Sequence, residues 1–427
     1  MKPCWLLLLP VAVCAGLLSS ALARAAEIRT IGEKLEDEIV SIGTEGGRTV
    51  LKTARGKSLA LSEVKHIRFD ERSPALASEA NVILLNKDEL HGTLGAWADK
   101  GETFKLKTSA LGEVNVKIDA VAAIFFNTGP DSERRLMGKY LGWLQKPGFE
   151  GRPGPDACYI KAGGKATGTI NEISGKGIKI DAEKIGAQNF ELGKLEALVV
   201  GNAGGAGTAT PPKGTLVRIR TSDGSSVSGA ISKFEGGKLE LTHVLDKITI
   251  AAKDILELFV LNGAFVYLSD LEPEKVEERF PDGFEREASL WGWKRDREVH
   301  AGERLRVGGR SYDKGLGVHS FCALTYKLGG GYREFRTVIG LDDSTKFAGS
   351  PNNEGQVTFR VLLGDEKKGM KPAKELPEGK LMKRGVAPFE LTVNVEGVET
   401  MTLVADYGNY LHVLGRGDWA DAHLVKR

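Results

Sequence analysis

The stretch GQVTFRVLLGD, residues 355–365, sets Val357, Phe359, Val361 and Leu363 at every second position with polar or small residues between them. A period of two puts one set of side chains on a single face of an extended chain, so a strand is predicted with one face in a core and one toward water. Leu391, Val393 and Val395 repeat the pattern, as do Met401, Leu403 and Ala405. Such strands need a second sheet to cover their apolar faces, and residues 264–427 therefore read as a β-sandwich. The Lys-, Glu-, Gly- and Pro-rich run 364–388 and the polar run STKFAGSPNNEG, 344–355, are expected to be loops on that scaffold.

Ahead of residue 264 the apolar runs are shorter, bounded by Gly, Asp, Asn and Lys, and helical periodicity is scarce. A glycine-plus-aliphatic step, an L-x-L step and a terminal apolar cluster recur in one order. They are GTL at Gly92, FKL at Phe104 and VAAIFF at Val121; GTI at Gly168, IKI at Ile178 and LEALVV at Leu195; and GAI at Gly229, LEL at Leu239 and ILELFV at Ile255. A first copy, EIVSIG, TVLKT and EVKHIRF, keeps the spacing but has Asp37 and Glu38 where the glycine stands in the others. Four copies of one β unit are predicted, over 26–72, 78–128, 158–200 and 215–262. At about 45 residues each is near the size at which a lone core becomes marginal, so the copies should be strongly bent barrels that lean on their neighbours. The glycine marks the bend or bulge such a barrel needs. The pattern is similar to Sm-like and other SH3-like barrels. That resemblance implies five strands curled into one sheet, in modules that bind RNA, peptides or each other.

Two linkers interrupt the array. The Gly/Pro-rich run 129–157 contains Leu136, Tyr140, Leu141, Trp143 and Leu144, placed to dock a short helix onto a barrel. The run GNAGGAGTATPPKG, 201–214, is a flexible joint. Its glycines lack the strand-to-helix context and the Gly-Lys-Ser/Thr ending of a phosphate loop, and AGGKAT at Ala162 fails because Ala166 stands where a metal-binding hydroxyl is needed.

The chain of 427 residues carries 59 basic and 57 acidic side chains, a formal charge of +2, so no chain-wide field gathers polyanions. The units also lack a basic stripe with interleaved aromatics, and nucleic acid is set aside as a partner. Residues 1–25 run from Lys2 through an apolar stretch to Ala23 and Ala25, the order of a secretory signal, so a secreted, periplasmic or cell-surface location is expected. Val13 before Cys14, and the apolar run continuing past it, argue against a lipoprotein anchor. No later segment reaches the roughly 20 apolar residues of a transmembrane span. Cys158 and Cys322, far apart in different units, read as buried small hydrophobes rather than a disulfide framework or zinc site.

The C-terminal region carries, in order, VYLSDLEP, SLWGWKRDREV, LRVGGRSYDKGLGVHSFCALTYKLGGGYREFRTVIGLDD, GQVTFRVLLGD and GDWADAHL. This succession resembles the NPCBM family of carbohydrate-binding modules. The resemblance implies a jelly-roll β-sandwich of the galactose-binding type, a carbohydrate partner and, in some members, a structural calcium. The whole chain is thus expected to be all-β, tandem small barrels followed by a jelly roll.

Sugar recognition by a sandwich needs an aromatic face against the ring and a few groups that make charge-assisted bonds to hydroxyls. The candidates are Trp291, Trp293, Tyr312, Tyr407 and Tyr410, with His319 beside them. Trp291 and Trp293, two apart, would share a face in a strand, while Trp419, ahead of Ala420 and Ala422, reads as core. His319 has Ser311, Asp313 and Ser320 near it in sequence but no nucleophile turn, so catalysis is set aside. Gly315 and Gly317 suggest a tight bend, with the imidazole satisfying a buried carbonyl or carboxylate or touching ligand. Asp342 and Asp343 at a strand end are hard oxygen donors suited to calcium, with Asn352 and Asn353 close in sequence; turn capping accounts for the same pair.

Barrels, joints and sandwich take up the whole length, leaving no segment for a glycosidase domain, and the spacing of pairs such as Glu277 and Glu278 says nothing of catalytic separation. The expected protein is a non-enzymatic, secreted glycan binder whose β units are spacers or docking modules. The alternative is an envelope scaffold that holds envelope proteins without sugar affinity.

Overall fold

The computed structural model describes residues 25–75, 79–98, 102–126, 130–144, 154–183, 185–201, 212–280, 291–347, 355–365, 369–409 and 413–427. Residues 1–24 of the signal-like run, residues 202–211 of the joint, and Asn352, Asn353 and Tyr410 lie outside them. The described chain is mostly strand joined by turns and loops, with short 3-10 turns and one α-helix, Pro130–Leu141.

Upstream of the sandwich, one strand order recurs four times. In the fourth unit Leu216–Thr221 pairs antiparallel with both Ser226–Glu235 and the closing strand Ile255–Val260, while Lys238–Thr242 and Lys247–Ala251 extend the sheet on the other side. The first strand pairs in the same two ways in the other units. A 3-10 turn precedes every closing strand. A register shift also falls within the second strand of the last three units and at the matching place in the first, between Leu94/Trp97, Ile170/Glu172, Ile231/Lys233 and Ile39/Ser41. The recurrent glycine sits just before it. A Cβ on Gly92, Gly168 or Gly229 would lie 2.5, 1.9 or 2.5 Å from a carbonyl oxygen of the facing strand, so the bend closes only where there is no side chain. In the first unit Asp37 takes that place, and its carboxylate accepts the N–H groups of Glu38 and Arg55.

The units do not lean on their neighbours in sequence throughout. Closing strand pairs with closing strand, the first unit with the fourth and the second with the third. His66 faces Phe259 and Arg68 faces Glu257 in one pair; Ala123 faces Val199 and Phe125 faces Ala197 in the other. The two registers are equivalent, so each pair has the same outer face, related by the repeat. The pairs are joined through a buried contact in which His243 Nε2 donates to Asp88 Oδ2 at 2.8 Å and Ser228 Oγ donates to Oδ1 at 2.5 Å.

The two outer faces are covered differently. On the second and third units Ile83, Ala123, Phe125, Ala197 and Val199 form an apolar patch, and the helix lays Leu136 and Leu141, with Leu144 just beyond, against it. On the first and fourth units the equivalent patch carries His66, Arg68, Glu257 and Phe259, and the sandwich lies over it. Glu257 is 3.4 Å from His66, 3.5 Å from Arg68 and 3.0 Å from Arg220, while Arg220 and Arg304 both meet Asp313 of the sandwich. Lys65 adds a 2.6 Å pair with Asp421, and Phe265, Tyr267 and Val425 join the core of the units.

Residues 265–426 form two six-stranded antiparallel sheets. One runs Lys294–Arg295, Gly315–His319, Arg416–Lys426, Tyr332–Leu341, Phe389–Asn394, with Phe265–Tyr267 also on Arg416–Lys426. The other runs Lys275–Glu278, Cys322–Lys327, Thr400–Tyr407, Gln356–Asp365, Gly369–Pro372, with Lys380–Lys383 also on Gln356–Asp365. Val357, Phe359, Val361, Leu391, Val393, Met401 and Leu403 fill the space between, as their alternation requires, and Trp419 is buried there against Phe335 and Phe359. The 364–388 run is not simply a loop: its two short strands extend the second sheet, which supplies the backbone pairing that its polar sequence conceals. Cys158 and Cys322 are both free and buried, and burial pushes the Cys158 thiol up to about 12. No helix among the described residues is long and apolar enough to cross a membrane.

Candidate functional site

His319 ends one strand of the first sheet and Arg416 begins its neighbour, and the two are direct cross-strand partners. Directly opposed residues project to the same side, here the outer face, because the adjoining pair Leu316 and Val318 with Trp419 faces the core. Gly315 and Gly317 lie within the strand, not at a bend before it. Gly317 is needed for a close approach: a Cβ there would stand 2.2 Å from the Arg297 carbonyl oxygen. That approach brings the 297–303 segment over the sheet end, where Glu298 accepts the N–H groups of His300 and Ala301, both at 2.5 Å, and so fixes the turn.

Around this strand end the aromatic and cationic groups converge. The guanidinium of Arg416 lies 4.6 Å from the centroid of the Trp291 indole, and the His319 and His300 rings stand 5.5 and 5.4 Å from it. Phe280 stacks on His319 at 5.8 Å with 19° between the planes. His319 is buried with Nδ1 donating to the Ser320 carbonyl at 2.9 Å, so it both fills a structural need and walls the site. Trp291 is half-buried and keeps part of its surface open to solvent. Arg416 is buried, and its Nε has no partner among the described residues. Burial pulls the Arg416 pKa down while Glu298 and Asp342 push it up, and a guanidinium keeps its charge under such a shift. The result is a part-exposed indole beside a desolvated cation, a surface that can take the C–H face of a ring and bond its hydroxyls.

A second aromatic group adjoins it. Arg279 lies 4.7 Å from the ring of Phe321, and Phe321 is 6.3 Å from Tyr407, whose hydroxyl donates to the Arg279 carbonyl at 3.0 Å. The remaining candidates lie apart. Trp293 does not share a strand face with Trp291, since the strand starts only at Lys294; it is half-buried against the core with Arg295 over its ring at 5.1 Å. Tyr312 is buried in a small cluster with Leu305, Val307 and Ala420 on the side that meets the repeat units, and its phenol is no platform. Sequence reasoning missed Arg416, Phe280, His300 and Phe321. Nothing in the strand sequence RGDWADAHLVK, which carries Asp418, Asp421, His423 and Lys426 as well, singles out Arg416.

Asp342 and Asp343 act as turn acceptors. Asp342 takes the N–H groups of Arg306 at 3.0 Å and Ser344 at 2.8 Å, and Asp343 takes that of Gly309 at 2.6 Å. Asp418 is fully buried nearby, and burial first, then the charge of Asp342, holds its pKa well above the usual carboxylate value, favouring the neutral acid. Among the described residues no group of three or more His, Cys, Asp or Glu side chains is placed to hold a metal.

Residues 265–425 match the NPCBM/NEW2 domain. A protein of Renibacterium salmoninarum named "Putative endo-alpha-N-acetylgalactosaminidase" is 32% identical over 124 residues, which is 29% of this chain and only 7% of that protein. Among solved structures, a CBM51 module from Clostridium perfringens GH95 in complex with methyl-galactose is 24% identical, covering 38% of this chain and 99% of its own at a TM-score of 0.29. The tandem CBM51 modules of Sp3GH98 from Streptococcus pneumoniae are 13% identical, covering 64% and 88% at a TM-score of 0.30.

Proposed function

Taking residues 265–425 as an NPCBM/NEW2 carbohydrate-binding domain, we propose that the chain is a secreted, non-catalytic glycan-binding protein whose ligand sits on Trp291. The observation that carries the reading is the convergence of the Trp291 indole, the Arg416 guanidinium and the His319 and His300 rings at one strand end of the sandwich. The indole takes the apolar face of a sugar ring, and Arg416 and His300 bond its hydroxyls. Phe321 and Tyr407 extend the surface for a second ring. Among the described residues the acids near these rings are tied into structure: Glu298 accepts the N–H groups of His300 and Ala301, and Asp313 is held by Arg220 and Arg304 at the boundary with the repeat units. The β units serve as spacers or docking modules that hold the sandwich outward.

A glycan array probed with the full chain tests this. Binding to a defined set of glycans, weakened at least about tenfold by Trp291→Ala, is expected, because loss of a stacking ring removes more than about 1 kcal/mol. Absence of binding to every glycan, with envelope proteins still captured, would replace this reading with the scaffold. Glycosidic bond cleavage by the purified chain, abolished by neutralising one acid of the sandwich, would refute the non-catalytic part.

A further inference from the structure

The first unit and the sandwich do not close completely. A cleft of about 290 Å³ lies between the first strand and turn of that unit and the outer face of the sandwich sheet. It is distinct from the Trp291 site: His423, which lines it, is seven residues along the strand from Arg416, roughly 23 Å away in extended chain. Its size is at the lower end for ligand pockets, which suits a single ring rather than a chain.

Five cationic side chains, Arg29, Lys34, Lys65, Arg310 and Arg336 among them, face three acidic ones, Glu33, Glu390 and Asp421. Most of these charges are already engaged. Lys65 holds Asp421 at 2.6 Å, Lys34 holds Glu27 at 2.7 Å and Arg336 holds Glu334 at 2.7 Å. Arg310 differs: it is exposed, lies 5.0 Å over the Tyr312 ring and makes no ion pair among the described residues. In the same cleft His423 donates Nδ1–H to the Asp421 carbonyl at 2.5 Å, and burial and then Lys65 hold its pKa down to about 4, so it adds no charge at neutral pH. The open cation shares the cleft with Thr392 and Glu390; the Glu390 carboxylate repels a bare anion, and both side chains accept from hydroxyl groups.

We propose that this cleft binds a sugar acid, a polyhydroxylated ring bearing one carboxylate, with the carboxylate forked on Arg310 and ring hydroxyls donated to Glu390 and Thr392. A bidentate guanidinium–carboxylate contact gives the orientation, and the acceptors select against simple anions. The site is independent of the Trp291 reading.

Calorimetric titration of the full chain with D-glucuronate, against D-glucose and acetate at matched ionic strength, tests it. Saturable glucuronate binding that weakens with salt, and is matched by neither control, is expected. Arg310→Glu should weaken it at least about tenfold, the worth of one charge-assisted contact. Glu390→Gln should tighten it, a gain that misfolding cannot mimic, while Trp291→Ala leaves it unchanged. The proposal is overturned by absence of saturable binding, by acetate binding as well as glucuronate, by indifference to Arg310→Glu, or by loss on Trp291→Ala, which would assign the ligand to the other site.

Discussion

The two pairs of β units present the same outer face in the same register, yet one is sealed with hydrocarbon and the other with charge. Where the second and third units set Ala123, Phe125, Ala197 and Val199, the fourth and first set His66, Arg68, Glu257 and Phe259. The first face takes a helix from its own linker; the second takes the sandwich. The two covers thus meet faces that differ in chemistry at four equivalent points. The apolar seal is local and insensitive to salt, whereas the ionic seal joins two modules and must keep every charge matched, because desolvated ions are costly when a partner is lost.

That contrast can be broken from either side. The largest effect is expected from Glu257→Ala, which leaves Arg68 without its partner beneath the sandwich and Arg220 with Asp313 alone; a loss of about 3–5 kcal/mol in denaturant unfolding is predicted, and a loss below about 1 kcal/mol would mean the contact is only a solvated rim. Next is Leu136→Ala on the apolar face, at about 2–4 kcal/mol, read by hydrogen exchange as opening of the helix with the sandwich still protected. Simultaneous opening of the sandwich would show that the two seals are not separate.

Acid sharpens the comparison. Glu257 is pulled toward neutrality by burial, but the His66 ring 3.4 Å away and the Arg220 and Arg304 charges outweigh this and hold it down to about 2. Glu196, at the margin of the apolar face, is also held down to about 2, by the Tyr140 hydroxyl foremost. A carboxylate with a depressed folded pKa contributes stability above its ordinary value of 4.5, lost as pH falls toward 2. Melting followed from pH 6 to 2 should therefore show the sandwich releasing over that window, with a smaller change at the helix. The smallest effect is Tyr140→Phe, which removes the 2.5 Å bond to Glu196 and should cost about 1 kcal/mol.

Much of the fold was legible because period-two alternation and a repeated glycine are local signals. Val357 to Leu363, the spacing around Gly92, Gly168 and Gly229, and the apolar positions of the 129–157 linker each report on their own neighbourhood. Which unit pairs with which was not legible, since the decision is made by closing strands nearly 190 residues apart. The site was half-legible for the same reason. Trp291 and His319 stood out as residue types, but Arg416 becomes their neighbour only through strand pairing, and Tyr312 was drawn in by its type although the hairpin buries it.

The nested order of the units has a consequence for biogenesis. The second and third units can complete one another as soon as both exist, but the first must wait for the fourth and then for the sandwich before its closing strand and the cations on it are covered. For that interval it offers an unpaired edge, bordered by Lys65, His66 and Arg68, whose charge discourages the sticking that a bare apolar edge would invite. Charge on this strand thus guards the newborn chain before it clasps the finished one.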